Sequence, residues 1–156
     1  MIVVLIGKAG NLIMNSKQVS EIMDLPVATL RYYEKIGVIP PIGRDKNGYR
    51  DYRPNDLNWI FLTKCLKQAG LSLKLLKEFA DLNQKDEDTS EERKDILREQ
   101  LDDLNDKLDE MNKTRDLLVH KIDTFDDHMV KFESGEMDED HVEELWTMGE
   151  FQSSKK

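Results

Sequence analysis

Apolar residues recur at helical spacing in several short segments and in one long segment near the C-terminus. Between residues 16 and 82 the pattern predicts four short helices. Gly37 and Pro40-Pro41 separate the first two helices from the last two, because proline cannot continue a helix. Only the turn Asp24-Leu25-Pro26 separates the first helix from the second. Two short helices joined so tightly are typical of a helix-turn-helix.

The segment that follows the second helix is aromatic and basic rather than apolar. Asn47-Gly48 near its centre is the strongest short signal for a β-hairpin. A hairpin directly after a helix-turn-helix predicts a wing, whose Arg and Lys side chains can reach phosphates beside the second helix. The candidate DNA-binding residues are Lys17 on the first helix, Thr29, Arg31, Tyr32, Tyr33 and Lys35 on the second helix, and Arg44, Lys46, Tyr49, Arg50 and Tyr52 in the wing.

The second helix alone does not establish DNA binding. At 100° per residue its polar side chains cannot all share one face, and Leu30 and Ile36 must point to the core. A short amphipathic helix with ordinary surface charges remains the alternative interpretation, since helix-turn-helix patterns give many false positives.

The long apolar segment alternates spacings of four and three residues from Leu97 to Phe132, with Arg115 as its polar interruption. A period of 3.5 residues is typical of a coiled coil. A helix of about 43 residues is about 65 Å long, and residues 15–82 are too few to cover it. We therefore expect a homodimer. The predicted dimerisation residues are Leu97, Leu101, Leu104, Leu108, Met111, Leu118, Ile122 and Phe125.

These patterns predict a mainly α-helical fold in four parts. Residues 1–14 are interpreted as an N-terminal extension, with Met14 as a candidate natural start. Residues 15–83 form a winged helix-turn-helix domain with a small β-hairpin wing, and residues 89–133 a dimerisation coiled-coil helix. Residues 134–156 form an acidic tail, for which one more short helix packing back and disorder both stay open.

Charge is divided unevenly along the chain. The net charge is −9, yet residues 14–80 hold eleven Lys and Arg against seven Asp and Glu, and residues 81–156 hold eleven against twenty-five. Such asymmetry is typical of a basic contact face joined to an acidic extension. The longest apolar run, at the N-terminus, is too short to span a bilayer. We expect a cytoplasmic protein with no membrane partner.

Candidate chemistry is sparse. One cysteine, Cys65, excludes an internal disulfide and a cysteine-rich zinc site. His120 and His128 are eight residues apart and are interpreted as solvated histidines rather than metal ligands. A Cys-His nucleophile pair would need a histidine that reaches Cys65, and all three histidines lie in the long helix or the tail. We expect no enzyme, no metal and no cofactor.

The segments LRYYEKIGVIPP, R-x(3)-GYRDYR and PNDL, followed by a long helix, resemble the MerR family of bacterial transcription regulators. The resemblance implies that Arg31, Tyr32 and Tyr33 lie on a recognition helix, and that Arg44, Tyr49, Arg50 and Tyr52 form the wing and its support. It also implies a dimer joined by an antiparallel coiled coil on double-stranded promoter DNA. There the effector-bound form kinks and untwists the DNA and so acts indirectly on RNA polymerase.

The position of Cys65 is similar to that in a single-cysteine subgroup of the family, which responds to aldehydes and other electrophiles. On a helical wheel Cys65 also fits a small core residue, so a sensor and a structural cysteine both stay open. With a structural Cys65, a small effector would bind without a covalent bond. A further alternative is a coiled-coil interaction protein with a vestigial DNA-binding domain.

Overall fold

The computed structural model describes residues 13–152, most of which are helical. In this part of the chain no helix is long and apolar enough to cross a membrane. The predicted, mainly α-helical fold class is confirmed, and residues 1–12 of the predicted extension lie outside the described residues. The helices are α1 (Ser16–Met23), α2 (Val27–Ile36), α3 (Pro54–Gln68), α4 (Leu73–Asn83), α5 (Ser90–Asp123), α6 (Phe125–Ser134) and a 3-10 helix (Leu145–Thr147).

Helix α1 begins and ends through local hydrogen bonds. The Asn15 side chain accepts from the Gln18 backbone N–H and the Gln18 side chain accepts from the Asn15 N–H, each at 3.0 Å, which forms a capping box. At the other end Asp24 is left-handed, with φ of 49°, a conformation that Asp tolerates better than most residues. The chain therefore reverses within three residues into α2.

One hydrophobic core holds the helix-turn-helix together. Met14 exchanges two backbone hydrogen bonds with Tyr52, at 3.0 and 2.9 Å, and so closes the core at its edge. Each large apolar side chain that becomes fully buried contributes about 1.5–3 kcal/mol. The buried residues of the core are Val19, Met23, Leu30, Tyr33, Val38, Ile39, Ile42, Tyr52, Trp59, Ile60, Leu76 and Ala80.

The long helix is interrupted once. The sequence predicts a single helix over residues 89–133, whereas α5 ends at Asp123 and α6 begins at Phe125. The Thr124 hydroxyl donates to the His120 carbonyl at 2.8 Å, and such back-bonding by threonine often bends a helix. The interruption is short, because the Thr124 N–H still donates to the same carbonyl at 3.0 Å.

The chain divides into two compact units between Leu101 and Asp102, inside α5. In the first unit, Ile96 and Gln100 of α5 are buried. The second unit contains the rest of α5, all of α6 and the described part of the C-terminal tail, residues 135–152. The compact units thus divide the long helix, which the sequence placed in one domain.

Candidate nucleic-acid interface

Helix α2 has a buried face and a polar exposed face. Leu30 and Tyr33 lie in the core, whereas Arg31, Tyr32 and Lys35 are exposed. The end of α1, directly before the turn into α2, is tied to α3, because Lys64 Nζ donates to the Met23 carbonyl at 2.6 Å. Two cations and an aromatic ring on a short, firmly held helix suit insertion into a major groove.

The placement of Tyr33 corrects one expectation. The sequence placed Tyr33 among the DNA contacts, yet its side chain is 1% exposed. Residues three apart share one helix face, so Tyr33 joins Leu30 in the core. Lys67 Nζ lies 5.8 Å from the centre of the Tyr33 ring, and desolvation by burial raises the pKa of the Tyr33 phenol. Tyr33 therefore packs in the core on the buried face of α2 and does not belong to its exposed face.

The wing, residues 43–51, is a short hairpin held at its tip by Asp45. Arg44 and Arg50 form an antiparallel bridge, which confirms the hairpin predicted around Asn47-Gly48. The Asp45 carboxylate accepts from the backbone N–H groups of Asn47 and Tyr49, at 2.8 and 3.0 Å. Gly48 has φ of +83°, where a side chain would be strained. Asp45 has no role in the sequence-based prediction, although an Asp two residues before Asn-Gly is typical of such turns.

The residues predicted for the wing divide into exposed and buried groups. Arg44, Lys46 and Tyr49 are exposed, and Tyr49 is 71% exposed. Arg44 Nη1 donates to the Gly48 carbonyl at 2.8 Å, which orients the guanidinium. Tyr52, by contrast, is 0% exposed, and its hydroxyl has no hydrogen-bond partner among residues 13–152. Tyr52 therefore supports the wing from the core and is not a surface contact.

One carboxylate connects α2 to the wing. Glu34 Oε1 accepts from Arg50 Nε at 2.8 Å and lies 2.7 Å from Arg50 Nη2. Glu34 Oε2 accepts from the Ile42 backbone N–H at 2.6 Å. Arg50 is thus held by α2, whereas the sequence counted it among the DNA contacts. No role was predicted for Glu34. The sequence feature that could have indicated one is an acidic residue within an otherwise basic segment.

The remaining candidates on the helices are Lys17 and Thr29. Lys17 is exposed on α1, and Thr29 is half-buried at the start of α2. Thr29 also lines a shallow pocket of about 370 Å³ together with Lys64 and Lys67. Both residues belong to the same unit as α2 and the wing. In the described part of the chain no cluster of His, Cys, Asp and Glu could hold a metal ion.

Cys65 lies at the surface of α3. Its side chain is exposed, and so is the side chain of Phe61 one turn earlier, at 58%. The interpretation of Cys65 as a buried core residue is wrong within the folded chain. Helix α3 instead buries Trp59, Ile60 and Thr63. The sequence could not decide this, because Cys65 shares a broad apolar arc with residues on both faces.

The predicted dimerisation residues form an apolar stripe along α5 and into α6. Leu104 is half-buried and the other seven are exposed. The stripe continues into α6 through the exposed Met129 and Phe132. We call this stripe the seam; it comprises the eight predicted dimerisation residues together with Met129 and Phe132.

The two helical histidines differ from their prediction as solvated side chains. His120 and His128 are both half-buried. His120 Nε2 lies 2.7 Å from Glu143 Oε1, and His128 Nε2 lies 3.8 Å from Glu143 Oε2. Sequence reasoning missed Glu143 because it lies in an irregular acidic segment where no pattern distinguishes it.

The fold and this surface define a winged helix-turn-helix protein with a long helix after the DNA-binding unit. Two family models match the chain, the MerR HTH family regulatory protein over residues 14–82 and the MerR DNA-binding model over residues 57–121. The chain belongs to the MerR family.

Solved structures and curated relatives agree with this family. A Listeria monocytogenes protein assigned to the MerR family of transcriptional regulators is 37% identical, with a TM-score of 0.71 over 78% of this chain and 92% of that chain. HiNmlR, a MerR family regulator lacking the sensor domain and solved bound to promoter DNA, is 32% identical, with a TM-score of 0.66 over 76% of this chain and 94% of that chain. The regulator AdhR of Bacillus subtilis is 45% identical over 78 residues, 50% of this chain and 56% of AdhR. The alignments thus span about half the length of the first curated relatives.

Proposed function

We propose that this protein is a transcription regulator that binds double-stranded promoter DNA as a homodimer. The observation that carries the proposal is the Glu34–Arg50 pair, which fixes the wing against α2 while basic side chains of both elements stay exposed. Helix and wing then meet DNA as one preformed surface, and little order has to be gained on binding. HiNmlR, from the same family, was solved on promoter DNA.

The exposed residues divide by the DNA groups that they suit. Arg31 on α2 has the guanidinium geometry that pairs with a guanine edge in the major groove. Arg44, Lys46 and Tyr49, exposed in the wing, would contact phosphates, which position the protein without specifying sequence. Lys17, Thr29, Tyr32 and Lys35 complete the proposed contact surface.

The seam supports a homodimer. Leucine, methionine and phenylalanine side chains along α5 and α6 are exposed in the single chain, and a 3.5-residue period is the arrangement that a second helix covers. A dimer holds two recognition helices at a fixed separation, as two half-sites on DNA require. Distortion of the promoter by such a dimer would change how RNA polymerase engages it, with the energy of bending offset by contacts to the bent form.

Cys65 is the proposed effector-sensing residue. It is the only cysteine in the sequence, and its exposed side chain is accessible to aldehydes and other electrophiles. The thiolate is the reactive form of cysteine, and an adduct beside the exposed Phe61 would change the surface of α3. A response to thiol stress would then follow from altered packing at α3.

Selection of binding sites from a random duplex library tests the proposal. A homodimer with two recognition helices should enrich a palindromic sequence with two half-sites. The variant Arg31→Ala should enrich it far less, whereas Lys94→Ala, which removes an exposed cation of α5, should leave the selection unchanged. Failure of the parent protein to enrich any sequence would favour the coiled-coil interaction protein with a vestigial DNA-binding domain.

A further inference from the structure

Three side chains of the second unit meet at one point. His120 of α5, His128 of α6 and Glu143 of the tail form what we call the His–Glu cluster. Their side chains are only 25%, 19% and 26% exposed. Because a carboxylate oxygen at ordinary pH can only accept, His120 Nε2 donates its hydrogen to Glu143 Oε1 across 2.7 Å.

The second oxygen of Glu143 is not satisfied. Oε2 is buried and has no hydrogen-bond partner among the described residues. His128 Nε2 lies 3.8 Å from it, which is beyond hydrogen-bonding distance. A buried acceptor without a donor is costly, so a small movement that brings a protonated His128 closer would be favourable.

The cluster joins the tail to the long helix. The His120 ring also packs on the Phe151 ring, with centroids 5.6 Å apart. Between these two contacts the tail forms the 3-10 helix Leu145–Thr147, and the N–H of Phe151 donates to the Met148 carbonyl at 3.0 Å. The cluster therefore anchors residues 143–151 at both ends.

We propose that protonation of His120 and His128 fastens the tail to α5 and α6, so that tail docking is pH dependent. Below about pH 6.5 an ordinary imidazole becomes an imidazolium. Two imidazolium groups then face one carboxylate, and the attraction is added to the existing hydrogen bond. With neutral imidazoles, by contrast, the tail keeps only the neutral hydrogen bond and the ring contact.

Two other carboxylates of α6 and the tail are paired with cations outside the cluster. On α6, Asp127 is paired with Lys131 at 2.7 Å. In the tail, Asp138 is paired with the exposed His141 at 2.7 Å, and this hydrogen bond lowers the pKa of the Asp138 carboxyl. Glu143 is the carboxylate that faces His120 and His128 from the tail.

On α5 the cluster lies away from the seam, whereas on α6 His128 is within one turn of the seam residues Phe125 and Phe132. At 100° per residue, His120 is about 160° from both Leu118 and Ile122 around the helix. Both of these residues are exposed although the tail is docked. Fastening and release of the tail therefore occur on the opposite side of α5 from the face assigned to the second subunit.

Hydrogen exchange of the full chain at pH 5.5 and pH 8.0, corrected for the intrinsic exchange rate, tests this proposal. Peptides over residues 142–151 should exchange about fivefold more slowly at pH 5.5 than at pH 8.0, the gain expected from partly exposed ion pairs. In Glu143→Gln, which keeps the shape but removes the charge, the difference should fall below about twofold. Peptides from the part of α5 between residues 102 and 118 report in each case that the unit holding the cluster is folded.

Two further variants make the test specific. His141→Gln removes an exposed histidine of the same tail that is paired outside the cluster, and it should keep the full pH difference. The double variant His120→Gln with His128→Gln should lose it. Equal corrected exchange of the parent tail at the two pH values would overturn the proposal, and so would a pH difference that survives in Glu143→Gln.

Discussion

Arg50 Nη2 of the wing lies 2.7 Å from Glu34 Oε1 of α2. The two residues are sixteen positions apart, and both side chains are largely shielded from solvent, at 21% and 16% exposed. Arg50 Nε donates to the same oxygen, and charge-assisted contacts of this kind are stronger than neutral hydrogen bonds. The pair sets the position of the wing beside α2.

Replacing Glu34 with Gln removes the charge and keeps the size of the side chain. We expect the free energy of unfolding to fall by about 1–2 kcal/mol, because hydrogen bonds to a charged group are removed or weakened. DNA affinity should fall as well, since the wing is no longer fixed. Urea unfolding and fluorescence anisotropy measure the two effects. Asp81→Asn, which breaks the exposed Lys77–Asp81 pair, is the control and should change stability by at most about 0.5 kcal/mol.

Replacing Leu104 and Leu108 together with Asp places charges in the seam. We expect monomers in sedimentation and loss of specific DNA binding, because a monomer cannot hold two half-sites. Val130→Asp is the matched control, since Val130 is apolar and 64% exposed but lies off the seam. A parent protein that sediments as a monomer at micromolar concentration would show that the seam is not a dimer interface.

Heptad spacing and turn residues predict most of the architecture. Asn47-Gly48 predicted the position of the wing, and the glycine and prolines that follow α2 predicted where α2 ends. These residues act through local backbone geometry, which the sequence records directly. The interruption at Thr124 was not predictable in the same way. The apolar spacing continues through residue 124 without a change, so it does not record the interruption.

Residue types predicted the exposure of some candidate residues and not of others. Arg31 and Lys46 are exposed as expected, whereas Tyr33 and Tyr52 are buried. Tyrosine has an apolar ring with a polar tip, so it suits either a core or a surface. The partner of Arg50 could not be predicted either, because sequence spacing does not show that residues 34 and 50 meet.

The burial of Tyr52 leads to a separate test of its role. Tyr52→Phe removes a hydroxyl that is buried without a partner in the described part of the chain. We expect unchanged DNA affinity and a free energy of unfolding that is equal or higher by up to about 1 kcal/mol. Tyr49→Ala, at an exposed position of the wing, should weaken DNA binding. A clear loss of DNA affinity in Tyr52→Phe would return this hydroxyl to the interface.

Cys65→Ala and Cys65→Ser decide whether the thiol senses electrophiles. If it does, both variants lose the transcriptional response to aldehydes and keep the parent DNA affinity. Because Cys65 is exposed, both variants should also keep the parent stability to within about 0.5 kcal/mol. Reporter expression with and without aldehyde measures the response. A response that persists in both variants would show that the effector binds elsewhere without a covalent bond.

The central claim is that α2 and the wing bind duplex DNA. Fluorescence anisotropy with the selected duplex between about 50 and 200 mM salt tests it most directly. We predict that the logarithm of affinity falls linearly with the logarithm of salt concentration, and that Arg31→Ala costs about 1–3 kcal/mol against the specific site. Lys46→Ala should flatten the slope by about one for each phosphate that the lysine no longer neutralises. Binding that does not change with salt, or equal affinity of the parent and Arg31→Ala for the selected duplex, would contradict the claim.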